Sequence, residues 1–158
     1  MNNLKPIDKI SARVLKNEYL FISLTVVAFA LKPLNIQYSN LITIVLLSTV
    51  SLAYVLAAQK SFPEEEAKEM NSFFFKLGGI ASGIAIIGIL FNILDFPNSK
   101  MLVIVGSTTV MIILGIIAIN KDNKINMSLF SPTLKLRFLF ISLISIVFLL
   151  DEYEIIAI

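Results

Sequence analysis

The chain has 158 residues, 57% of them hydrophobic, with a mean hydropathy of +0.87 and a formal net charge of +2. Soluble domains average about 45–50% apolar residues, and so apolar a chain cannot dress a water-facing surface, which excludes an ordinary soluble protein. The lack of Cys and His removes disulfides, thiolate nucleophiles, Cys-ligated metals, the usual general base and the commonest transition-metal ligand; no catalytic residue, metal site, cofactor or nucleic-acid partner is expected.

Within the first 18 residues, Ile7, Ile10 and Val14 share one helical face beside Lys5, Lys9, Arg13 and Lys16. That pattern predicts a short interfacial helix held by its apolar stripe and by anionic lipid. Apolar runs near 20 residues then recur, each long enough to cross a hydrocarbon core of roughly 30 Å. They predict about five spans: Tyr19–Ile36, Ser39–Ala58, Phe73–Leu94, Lys100–Ile119 and Leu134–Leu150. The first and last are uninterrupted for only 13 residues, Tyr19–Leu31 and Phe138–Leu150. Lys32 at one surface, and Lys135 and Arg137 at the other, are expected to snorkel and complete them. The basic start and "AFA" at Ala28–Ala30 resemble a cleavable signal, but the segment is expected to be retained as a span.

Between spans two and three, "SFPEEEAKEM" places Ser61 three residues before Glu64, a capping-box spacing. Glu64, Glu65, Glu66 and Glu69 are read as a solvated helix face rather than metal ligands. Asp95, Pro97 and Asn98 predict a tight turn between spans three and four, because Pro lacks an N–H and Asn tolerates turn geometry. With these spans, alternate sides hold 11 and 2 basic residues, the second side keeping only Lys32 and Lys100. The positive-inside rule then puts the N-terminus in the cytoplasm and the C-terminus in the periplasm of a bacterial inner membrane.

An internal repeat organises the single domain, residues 1–158. A shift of 60 matches Leu34, Ser39, Ile44, Val45, Thr49, Val50 and Ala58 with Leu94, Ser99, Ile104, Val105, Thr109, Val110 and Ala118. A shift of 119 matches "LFISL" at Leu20–Leu24 with Leu139–Leu143, and Phe29 with Phe148. The fold class is therefore all-α, a polytopic transmembrane helical bundle of two parallel helical-hairpin repeats (about 19–58 and 73–119) plus a half repeat (134–158).

Two groups of residues stand out. Gly79, Ser82, Gly83 and Gly88 form small-residue stripes on span three, suited to close helix contact within the chain, with a second copy or with another membrane subunit. Ser48, Thr49 and Ser51 on span two are expected to face Ser107, Thr108 and Thr109 on span four. Such hydroxyls either line a polar path or bond neighbouring carbonyls. No Asp, Glu, Lys or Arg falls near the centre of a span, where proton relays and pumps need one, so charged side chains are expected to stay at the membrane surfaces.

"GGIASGIAIIGILFNILDF" followed by "MLVIVGSTTVMIILGI" resembles the two-helix membrane hairpin of the L subunit of the Bacteroidota gliding-motility and type IX secretion motor. Gly88, Leu90, Phe91, Ile93, Phe96, Met101, Leu102, Gly106 and Thr109 carry the match, over about 45 residues. The resemblance implies a related hairpin without the motor's ion coupling. The family's membrane Lys corresponds to Asn92 (Lys32 takes that place in the first hairpin), and its intramembrane Glu falls on Thr109 or Val110. The combined expectation is a non-enzymatic inner-membrane protein that acts by helix packing as a structural or assembly subunit. The alternatives are a small ion or solute channel or transporter lined by Ser48, Thr49, Thr108 and Thr109, and a motor subunit with altered coupling. Its partners are the lipid bilayer and further copies or other membrane subunits.

Overall fold

The computed structural model describes residues 5–31, 38–62, 70–119 and 130–152, and all regular structure among them is helical. In chain order the helices are α1 (Pro6–Lys16), α2 (Glu18–Leu31), α3 (Ser39–Ala58), α4 (Met70–Ile93), α5 (Ser99–Ile119) and α6 (Pro132–Glu152). Four of them, α3 to α6, contain segments of 19–22 residues that are long and apolar enough to cross a membrane. In hydrocarbon a helix is the one local structure that satisfies every backbone N–H and C=O within a single segment. The expected first span is helical only over the 14 residues of α2 among the described residues, about 21 Å at 1.5 Å per residue. Lys32, Glu64, Glu65, Glu66 and Glu69 lie outside the described residues.

Helix ends follow the chemistry of particular residues. α4 stops in a Schellman motif: Phe96 N–H donates to Phe91 O at 2.8 Å and Asp95 N–H to Asn92 O at 3.1 Å. Asp95 takes the left-handed conformation (φ 55°) that this motif requires. The Phe91 and Phe96 rings, 5.3 Å apart and nearly perpendicular, supply the apolar contact that accompanies it. Asn98, also left-handed (φ 64°), accepts the first bond of α5 through its carbonyl, from Leu102 N–H at 3.4 Å. At the other end of the bundle, Ser131 Oγ accepts from Leu134 N–H at 3.2 Å and caps α6, with Pro132 in the first helical position, where its missing N–H costs nothing.

α4 is the centre of the bundle. α3 and α5 pack along it on separate sides without extensive contact with each other, and α6 closes against α5, α4 and α2, while α2 returns to α3. The close packing rests on small residues. A methyl placed on Gly79 would stand 2.7 Å from Ala58 Cβ, and one on Gly83 2.7 Å from Val55 Cγ2. One on Gly88 would meet Val103 N at 2.6 Å, and one on Gly106 Ala85 N at 2.5 Å. Backbone therefore touches backbone along α4 and α5, the contact that small residues permit in lipid. Hydroxyls add interhelical bonds: Ser51 Oγ to Gly83 O at 3.0 Å, and Thr43 Oγ1 to Ala28 O at 3.4 Å.

α1 is anchored to the bundle as well as being amphipathic. Its Ser11 Oγ donates to Leu56 O at 2.8 Å. Val14 is buried while Ile10, on the expected apolar stripe, is exposed. Asp8 Oδ1 accepts from Ser61 N–H at 2.7 Å and ties α1 to the segment after α3; the helix that Ser61 was expected to cap lies outside the described residues.

Candidate functional site

α6 buries one stripe: Leu134, Arg137, Phe138, Ile141, Ser142, Ser145 and Phe148. The spacing is that of one face of a 3.6-residue helix, and it carries a guanidinium inward. Arg137 is 1% exposed, and its Nη1 donates to Oε1 of Glu18, also 1% exposed, at 3.0 Å. Arg137 was expected to snorkel to the surface; instead it pairs inside the bundle. The reason is its phase on α6, between Leu134 and Phe138, together with a carboxylate supplied by the first residue of α2.

Aromatic rings enclose the pair. The guanidinium carbon lies 4.5 Å from the centroid of the Tyr54 ring on α3 and 5.2 Å from that of Phe138, within cation–π range. Phe21 on α2 meets Tyr54 edge-on at 6.1 Å. Three helices, α2, α3 and α6, thus converge on one charge cluster. Arg137 is five residues into α6, about 8 Å along its axis, so the cluster sits near one end of the bundle rather than at its centre. That end also carries Lys16, Lys60, Lys76 and Lys135; Lys100 is at the other. Lys60 Nζ stands 5.3 Å from the Phe62 ring, which packs on Phe75.

The sequence-selected residues occupy other places. Gly79, Ser82, Gly83 and Gly88 face neighbouring helices of the same chain, with Ser82 buried and its hydroxyl on Gly78 O at 2.7 Å. Ser48 and Thr49 on α3 do not face Thr108 and Thr109 on α5, because α4 lies between the two helices. Thr49 and Thr108 are exposed on the outside of the bundle, while Ser48 and Thr109 are half-buried. Thr49 and Thr109 bond their own helix, to Val45 O at 2.7 Å and Val105 O at 2.8 Å. The structure does not bring these four residues together. Asn92, at the last turn of α4, makes interactions of its own. No group of three or more His, Cys, Asp or Glu able to hold a metal occurs among the described residues.

Composition and spacing missed Glu18, Tyr54, Ser142 and Ser145 and assigned Arg137 to the surface, although two signals bore on the Glu18–Arg137 pair. Arg137 shares the period of the apolar stripe of α6. The shift of 119 that aligns the two "LFISL" segments also sets Glu18 opposite Arg137, one acid against one base. The structure joins those positions, and it joins Phe29 to Phe148 at the same separation, with ring centroids 5.3 Å apart.

No family model matches the chain, and neither a curated protein nor a solved structure is significantly similar to it.

Proposed function

We propose that this is a non-enzymatic, multi-pass inner-membrane protein that acts through helix packing, as a structural or assembly subunit of a larger membrane complex. The observation that supports this most directly is the close packing at Gly79, Gly83, Gly88 and Gly106, where an added Cβ would lie within 2.7 Å of a neighbour, side chain at the first two and backbone at the last two. Helices packed at that distance fit closely along α3, α4 and α5. The outer face of α5 supports contact with further subunits: exposed Thr108 lies seven residues before Gly115, where an added methyl would meet nothing within 4 Å. The N-terminus lies in the cytoplasm, since the clustered lysines then fall on the positive side. Extraction in mild detergent followed by mass determination of the purified particle tests the reading. Recovery with further copies or other membrane proteins is expected; a lone monomer of 17.5 kDa protein mass would overturn it.

One observation favours a second reading, a small transporter or channel. Its polar elements would be Glu18, Arg137, Ser142 and Ser145 on the α2–α6 side, where buried N and O atoms lack partners, in place of Ser48, Thr49, Thr108 and Thr109. Solute flux into liposomes that disappears in Arg137→Met, while Thr109→Val leaves it intact, would establish that reading over the first.

A further inference from the structure

Hydroxyls in these helices usually bond the carbonyl four residues back. Ser23, Thr25, Thr49, Ser82, Ser107 and Thr109 all do so, at 2.6–2.9 Å. Ser142 and Ser145 do not. Both are buried, at 7% and 0% exposure, and neither Oγ has a partner. The same stripe of α6 carries a third irregularity: the Glu18–Arg137 pair is joined by one hydrogen bond, and Glu18 Oε2 and Arg137 Nε, both buried, are left over. A guanidinium and a carboxylate ordinarily meet in a two-bond fork, and a buried polar group without a partner destabilises the fold.

We propose that the buried face of α6 binds water at two levels, one at the Glu18–Arg137 pair and one between Ser142 and Ser145. The chemistry of the unpartnered atoms selects the ligand. At the pair, the occupant must donate to a carboxylate oxygen and accept from a guanidinium N–H. A metal cation is repelled by the arginine and an anion by the glutamate, whereas one water serves both atoms. On α6, residues three apart have Cβ atoms about 5–6 Å apart, a gap that one water bridges between two hydroxyls. The second level begins about 7–8 Å along α6 from the first. The entropy lost in immobilising each water is offset by the polar groups it satisfies. Buried waters of this kind typically make about three hydrogen bonds to groups the fold leaves open. Water on the buried face of α6 is independent of the proposed role of the protein.

An experimental structure of the full chain in a lipid nanodisc, at a resolution that shows ordered water, decides the matter. Water is expected within hydrogen-bond distance of both Glu18 Oε2 and Arg137 Nε, and of Ser142 Oγ and Ser145 Oγ. Dry sites, with Ser142 and Ser145 rotated onto the Phe138 and Ile141 carbonyls and the ion pair closed into a fork, would overturn the proposal. Radiolytic hydroxyl labelling gives a second measurement on the same particle. Oxidation of Phe138 and Ile141 is expected to fall several-fold in Ser142→Ala/Ser145→Ala and to stay unchanged in Ser82→Ala, whose hydroxyl is already bonded. Equal labelling in all three proteins would also overturn it.

Discussion

The two sides of the bundle are held together by different physics. Along α3, α4 and α5, association depends on shape: glycines admit the neighbouring backbone, and the polar contacts are single hydroxyl-to-carbonyl bonds such as Ser51 to Gly83 at 3.0 Å. Between α2 and α6 the contacts include a charge pair at one level and the Phe29–Phe148 ring contact eleven residues further along each helix. Lipid tails are as apolar as leucine, so a uniformly apolar helix gains nothing by merely leaving lipid. A helix in a membrane must therefore be fixed either by close fit or by a polar group that has no alternative partner. This chain uses one device on each side.

The largest expected effect tests the charged side. Arg137→Ala leaves Glu18 buried without its partner, and loss of about 3–5 kcal/mol is expected in detergent–SDS unfolding. Glu18→Leu combined with Arg137→Met removes both charges and is expected to return most of that loss. If the double variant is as unstable as the single one, the pair is not the tie between α2 and α6.

The shape-fitted side is tested by moving a methyl. Gly106→Ala drives a Cβ toward the Ala85 backbone, which cannot yield as a flexible side chain can, and about 1–3 kcal/mol of destabilisation is expected by the same assay. Gly115→Ala, on the same helix in open space, is the control and is expected to gain about 0.5–1 kcal/mol from helix propensity. Equal effects at the two positions would mean that α4 and α5 are not in backbone contact.

Smaller effects sharpen the contrast. Ser51→Ala removes one interhelical bond and is expected to cost about 0.6 kcal/mol, far below the ion-pair variant. Asp95→Gly relieves a left-handed residue at the end of α4. A gain of a few tenths of a kcal/mol is expected, because Asp already tolerates that conformation better than most residues. A loss there would show that the Asp95 side chain makes a contact of its own.

How much of this was legible in sequence varies by element. The turn after α4 was readable because Asp95, Pro97 and Asn98 act locally, through backbone geometry, wherever the chain goes. The Gly79–Gly83 spacing marked a close contact but not its partner, which is α3 within the same chain. The hydroxyls of α3 and α5 were set facing each other by the repeat; the fold inserts α4 between them. The direction of Arg137 was misread because a basic residue near a helix start fits equally well with its head in water or in a pocket.

By itself the sequence determined that the described residues are helical, that several runs are apolar enough to span a membrane, and that the chain turns sharply between α4 and α5; it predicted about five spans, where four helices of the structure are long and apolar enough. Those properties follow from local backbone chemistry and from composition. The tertiary structure alone decided which face of α3, α4 and α5 points inward. Helices that are apolar all round carry no periodic signal to separate a lipid-facing side from a protein-facing one. Only contact could join Glu18 to Arg137, 119 residues away, beneath the ring of Tyr54.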